Sequence, residues 1–502
     1  MRTFALSVAL DIIASASSFG QAPAAGQVFR STTKLVQVSV IARDQSGKPV
    51  EDLRRDEFQI FDNASPQEIR VFVAEKSTPE AKLAALPAGT FSNQLAGSEG
   101  PQSGYSVILI DSLVASFGDP ITQEEGSGLA RVQTLKLLRS LPEGEKVAIY
   151  ASGRVLKVIC EFTSDRSLLE RELAKWKPNA DIPDTAIQPI QEAMKMGSRG
   201  VLPGMNADAM QRQLEEASRI DMAERAGPLD AEMEAIADHL AGIPGRKNLL
   251  WLSNRFAITG RAIQKFNRSN VSLYPVDMDG VCHLCPPRPI AAMNAIAEAT
   301  GGLAFYRRND INVAMREAIE DGMVSYTLGF YQPEQQAPVH RLSVRVSRPG
   351  VILRYRTGGQ AEARQAAAAD PGQQMLDAMN ATVDATGIAM TAALKRSGEK
   401  LDLTARADLS KLDLELDQGL WKGKAEVAVR FLSVDGSTAG DTLAQTVTLN
   451  LRPTTYESML AGGFPYNAEL SVPEKAVAVK VLIGNLDSGK IGTLTIPLSQ
   501  VK

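Results

Sequence analysis

The stretch that most constrains this chain is Tyr105-Ser-Val-Ile-Leu-Ile-Asp111, a nearly continuous apolar run closed by a carboxylate. A strand that is apolar on both faces must be covered on both faces, which is the condition of a parallel sheet held between layers of helix. Ser112–Asp119 follows as a polar-leaning loop, and Leu129, Val132, Leu135, Leu138 and Leu141 then recur at threefold spacing. Lys146–Gly153 brings the next apolar run. Strand, loop, crossover helix and strand predict the start of a doubly wound α/β sheet. Ligands of such sheets bind beyond the carboxyl ends of the strands, where Asp111 and its loop would stand.

The same rhythm continues downstream. Leu156–Phe162 reads as a strand, with Thr163 or Ser164 placed to cap a helix that carries Leu169 and Leu173. Residues 178–227 interrupt with prolines, glycines and a charged amphipathic stretch, and are expected to be an insertion at the rim. Leu229, Met233, Ile236 and Leu240 predict a helix that Gly242 and Gly245 would end. Asn248–Ser253, Val271–Val276 and Gly302–Tyr306 are expected strands, with helices over 262–270, 290–300 and around Ile311–Met323.

With 502 residues the chain is too long for one core. We expect an α/β unit over 104–325, preceded by a β-rich module over 28–76 that 326–358 is expected to join. Residues 77–103 and the Ala-rich 359–374 read as linkers. Residues 375–502 read as a C-terminal β-sandwich, immunoglobulin-like in its alternating strands and turn clusters. Residues 1–24 read as a signal peptide: Arg2 precedes an apolar stretch too short to span a bilayer, and Ala14-Ser-Ala16 and Ala22-Pro-Ala24 are small-residue cleavage sites. Asp11 departs from that pattern. The expectation is export to the periplasm or beyond, with no membrane span in the mature chain.

Composition excludes some classes of function. A formal net charge of -4 gives no electrostatic reason to expect nucleic acid as a partner. Three histidines, scattered in sequence, offer no histidine-centred catalytic set, and no Ser/His/Asp arrangement can be assembled. Cys282-His-Leu-Cys285 fits a redox pair, half a zinc site or a small disulfide loop. Three prolines stand between it and the helix expected at Ile290, which disfavours a thioredoxin-like placement. In an oxidising compartment a structural Cys282–Cys285 link is expected, with Cys160 free and buried. Gly484–Lys490 imitates a phosphate loop, but Ile491 replaces the hydroxyl residue and strands follow, so a hairpin is expected. Asp277 and Asp279 read as exposed acids at a strand end.

As a set, several of these pieces resemble a von Willebrand factor A-type domain of the bacterial, exported group often labelled VWFA-related. They are Val36–Asp44 with Gly47-Lys-Pro-Val50, Asp56-Glu-Phe58, Ile108–Asp111, Leu141-Pro-Glu-Gly144, Phe162–Asp165, Gly245-Arg-Lys-Asn248 and Tyr326–Tyr331. The resemblance spans about residues 30–358 and implies a non-catalytic module that binds a protein partner. Such domains commonly hold a divalent cation with an Asp-x-Ser-x-Ser loop, a distant Thr and a distant Asp, because hard cations take clustered oxygens. Here only Asp111 carries over. Leu113 and Ala115 occupy the two serine positions, while Ser112 and Ser116 are out of register. Asp119 is a further nearby oxygen donor, Thr185 is the candidate distant threonine, and Ser253-Asn254 stands where a Thr-Asp pair is common. The resemblance therefore implies a degraded metal-ion-dependent adhesion site. No cofactor is expected, with Mg²⁺ or Ca²⁺ the cation if one binds. A thiol-active protein using Cys282 and Cys285, and a structural envelope component, are the other readings.

Overall fold

The computed structural model describes residues 33–76, 87, 89–94, 104–111, 123–141, 145–153, 155–176, 229–253, 256–278, 289–333, 341–357, 371–397, 400–485 and 488–501. The expected signal peptide, 1–24, and the expected insertion, 178–227, lie outside them.

The chain opens with β1 (Thr33–Arg43), β2 (Phe58–Asp62), β3 (Ser65–Gln67) and β4 (Val71–Lys76). β5 is Thr90–Ser92. The central unit then supplies β6 (Tyr105–Asp111), α1 (Gln123–Ser140), β7 (Lys146–Ser152), β8 (Lys157–Thr163) and α2 (Arg166–Lys175). Next comes α3, helical over 229–239, followed by β9 (Lys247–Ser253), α4 (Gly260–Arg268), β10 (Val271–Asp277), α5 (Ile290–Thr300) and α6 (Ile311–Glu320).

The central sheet runs β10-β9-β6-β7-β8. Its first four strands are parallel, but β8 pairs antiparallel with β7 through two register irregularities. The expected wholly parallel sheet is corrected at that edge. Only a few residues separate β7 from β8, too few for the crossover that a parallel partner needs. The alternation along β6 explains why both faces are covered. Ile108 and Ile110 pack with α1, α2 and α6, whereas Tyr105, Val107 and Leu109 pack with α3, α4 and α5. Asp165 caps α2 by accepting from the Leu168 amide, in place of Thr163 or Ser164. The expected strand 302–306 shrinks to one parallel bridge between Val276 and Phe305. Gly302 lies so near Leu273 that a Cβ there would stand 1.9 Å from its carbonyl oxygen.

The chain then returns to its start. β11 (Val324–Pro333) pairs with β1 and β4, and β13 (Ile352–Tyr355) adds to the other side of β1. β12 (Leu342–Val346) pairs with β2 in a three-stranded sheet. The two sheets share one core built around Val38, Val40, Phe58, Ile60, Tyr326 and Leu328.

Beyond this lie α7 (Pro371–Asn380), β14 (Met390–Ser397), β15 (Lys400–Ala407), β16 (Glu415–Asp417), β17 (Leu420–Leu432) and β18 (Thr438–Leu451). α8 (Pro453–Gly462), β19 (Phe464–Ser471), β20 (Ala478–Asn485) and β21 (Lys490–Pro497) complete the chain. Two sheets again share a core, and α8 is a helix that the all-β expectation missed. β20 and β21 pair from Asn485↔Lys490 inward, so strands do flank the phosphate-loop look-alike.

Both linkers are corrected in part. Within 77–103, β5 joins the C-terminal sheet beside β14, and the buried Asn93 amide donates to the Ala385 and Ile388 carbonyls while its oxygen accepts from the Met390 amide. Small, polar composition does not reveal a three-residue strand whose partner lies about 300 residues away. Within 359–374, α7 begins at Pro371, a residue suited to the first helical turn.

Candidate functional site

Parallel register fixes what reaches the carboxyl edge of the central sheet. Asp111 stands level with Ser152 of β7, and Asp277 of β10 stands level with Ser253 of β9. Acids and hydroxyls thus alternate along the edge in the order Asp277, Ser253, Asp111, Ser152. The Ser253 hydroxyl donates to Asp111 Oδ2 at 2.7 Å. Ser152, Ser253 and Asp277 are buried, whereas Asp111 is partly exposed. The expectation of an exposed Asp277 is corrected: it is buried, and its amide donates to the Phe305 carbonyl beside the end of β10.

α3 brings a third carboxyl to this edge. On that helix, Glu232 feels the Gly153 backbone N–H just past β7 and the charge of Asp111, which places its carboxyl beside this edge. Both oxygens are shielded from solvent and neither makes a hydrogen bond of ordinary geometry. Burial pushes its pKa up to about 8; the Gly153 backbone N–H relieves this only in part, and the charge of Asp111 adds to the rise. Near neutral pH, Glu232 therefore stands largely protonated beside the edge.

Of the sequence-derived site residues, Asp111 is the one whose position is described. Ser112, Ser116, Asp119, Thr185, Asn254, Cys282 and Cys285 lie outside the described residues. Ser253, neighbour of the candidate Asn254, supplies the hydroxyl that meets Asp111. Sequence reasoning missed Glu232. A carboxylate directly flanking the apolar stripe Leu229, Met233, Ile236 and Leu240 was the signal available. The oxygen donors are of the hard kind a Mg²⁺ or Ca²⁺ ion takes. Among the described residues, however, no group of three or more acidic, histidine or cysteine side chains is placed to hold a metal ion. One Asp111 oxygen is already engaged by Ser253. The described part does not make a cation cage.

Beside Glu232 opens a cavity of about 510 Å³ between α3, α4 and α7. Five of its charged side chains pair with one another: Lys265 with Asp238 at 2.7 Å and Glu234 at 3.2 Å, and Arg261 with Glu234 at 2.9 Å and Asp377 at 3.1 Å. The last pair crosses from the central unit to the C-terminal one. Close by, His239 Nδ1 lies 2.6 Å from the Asp384 carbonyl, and the Gly242 amide donates to Thr386 Oγ1 at 2.7 Å. Cys160 is buried and free; burial first, then nearby acids, push its thiol pKa up, the opposite of an activated nucleophile.

No protein-family model matches the chain, and no curated protein does. Structural neighbours include von Willebrand factor A-type domains. The chain is similar to the von Willebrand factor type A protein from Catenulispora acidiphila at 11% identity over 65% of this chain and 82% of that one, with a TM-score of 0.27. An aerotolerance-related membrane protein from Bacteroides fragilis matches at 13% identity over 43% of this chain and 98% of its own, with a TM-score of 0.25. Proximal thread matrix protein 1 from the mussel byssus matches at 10% identity and a TM-score of 0.25; the match covers 43% of this chain and 47%, about half, of that protein.

Proposed function

We propose that this chain is a non-catalytic, exported protein-interaction module of the von Willebrand factor A type, flanked by two β-rich units of sandwich-like build. Its binding surface is the carboxyl edge of the central sheet around Asp111. The observation that carries this reading is the Asp111–Ser253 contact: a partly exposed carboxylate is held by a buried hydroxyl at the sheet edge where ligands of α/β folds bind. The partner is a protein that presents a hydrogen-bond donor or a basic side chain to Asp111. On this reading the adhesion-type metal site is degraded, and recognition at Asp111 is direct, without a bridging cation.

The test is capture from an envelope extract of the native host with the full chain as bait, in chelator, beside Asp111→Lys. Retention of a partner in chelator and its loss with Asp111→Lys are expected; capture indifferent to Asp111→Lys would sink the reading. Export is tested separately by intact mass of protein recovered from the host. A leader removed between residues 16 and 26 is expected, and a full-length cytoplasmic product would overturn that part.

A further inference from the structure

Sheet edges carry unpaired backbone donors and acceptors, and proteins guard them with charge, proline, brevity or a covering element. Most edges among the described residues are guarded in these ways. β3 and β16 are three residues long, β19 carries Pro465 and Glu469, β8 carries Lys157 and Glu161, and β10 is bridged by Phe305. β18 is different. It runs 14 residues, pairs among the described residues only with β17, and is uncharged from Thr442 to Leu451. Residues 440–446 are exposed, on both faces of the strand. Leu443, on the same face as the buried Ala439 and Leu449, is left 51% exposed.

From this edge we infer that β18 pairs with β18 of a second copy of this chain, antiparallel about a two-fold axis through Gln445. An isologous contact needs one patch that complements itself. The strand meets that condition residue by residue. With Gln445 opposite its own copy, each Leu443 lies across from a Val447 on the same face, which covers the exposed leucine. On the other face Thr442 meets Thr448 and Ala444 meets Thr446, pairs that bring no like charges together. The two Gln445 amides each offer a donor and an acceptor and satisfy one another. A charged partner strand would find no counter-charge between Thr442 and Leu451, so the chain's own copy is the occupant this edge fits. The join would extend the β18-β17-β20-β21 sheet across two molecules.

Sedimentation and light scattering of the full chain test this. A concentration-dependent dimer is expected. Gln445→Lys and Gln445→Glu, at an exposed position that leaves the core untouched, each place like charges face to face and weaken the dimer by about fivefold. Mixing the two variants restores a heterodimer at least as tight as the parent, which also shows that both are folded. A chain that stays monomeric at the highest attainable concentration overturns the inference. So does a dimer insensitive to both substitutions, or variants that dissociate but do not recombine when mixed. A partner strand from another protein on this edge would show as a monomeric pure chain, and so counts against it.

Discussion

Arg43, at the end of β1, donates from Nε to Asp321 Oδ1 at 2.6 Å across 278 residues of chain. Asp321 lies just beyond α6 and is fully buried. Its other oxygen accepts from the Tyr274 hydroxyl at 2.9 Å and from Arg354 of β13. Tyr274 in turn accepts from Arg246 at 3.0 Å, and Arg246 also donates to the Gly301 carbonyl at 2.8 Å. This network joins the central sheet to the N-terminal sheets at the end opposite Asp111. Arg246 belongs to the Gly245-Arg-Lys-Asn248 motif, so that motif serves the joint.

Asp321→Ala leaves two guanidinium groups without their buried counter-charge. We expect a loss of about 3–5 kcal/mol of unfolding free energy. Urea titration measures it, and a loss below about 1 kcal/mol would mean that the network does not hold the two units together.

The pH dependence of stability should show a minimum near pH 7–8. Glu232 is raised from 4.5 to about 8, so the stabilisation present below about pH 4.5 is lost as pH climbs through about 8. Lys247 is lowered from 10.5 to about 7 by burial, with Glu75 opposing, so the stabilisation present above 10.5 is lost as pH falls through about 7. Glu232→Gln should raise stability at about pH 8 by roughly 2–4 kcal/mol and leave it unchanged at about pH 4. Denaturant midpoints across this range decide it; equal shifts at both ends would count against a proton-linked origin.

Gly242 is a point of close approach. A Cβ there would stand 2.4 Å from the Thr386 carbonyl oxygen and 2.7 Å from Thr386 Oγ1. Gly242→Ala should therefore push the 382–386 segment off the end of α3, at a cost of about 1–3 kcal/mol. The readout is faster proteolytic separation of the C-terminal unit, with the central unit's own melting preserved. Unchanged cleavage would show that the segment gives way without undocking.

Calorimetric titration with Mg²⁺, Ca²⁺ and Mn²⁺ should give binding no tighter than about millimolar at the Asp111 edge, the range of ligand-poor oxygen sites. Asp111→Ala should change it little. Micromolar affinity abolished by Asp111→Ala would show that residues of the following loop complete a cage of their own.

The central unit was legible along the chain, because periodicity is a local signal. The run Tyr105–Asp111 had to be a strand covered on both faces, and the stripe from Leu229 to Leu240 had to be a helix lying on it. Asp111 at the strand's carboxyl end followed from the same register. What sequence could not carry were meetings between distant segments. Thr90–Ser92 is too short for any pattern, and becomes a strand because β14 offers it an edge. The antiparallel turn of β8 arises from a connection too short to cross over. Ser253 and Glu232 come to Asp111 only once β9 and α3 are docked on β6, and burial then sets the protonation of Glu232. Tertiary structure decided these points because desolvation and hydrogen-bond geometry belong to neighbours in space, which the order of residues along the chain does not specify.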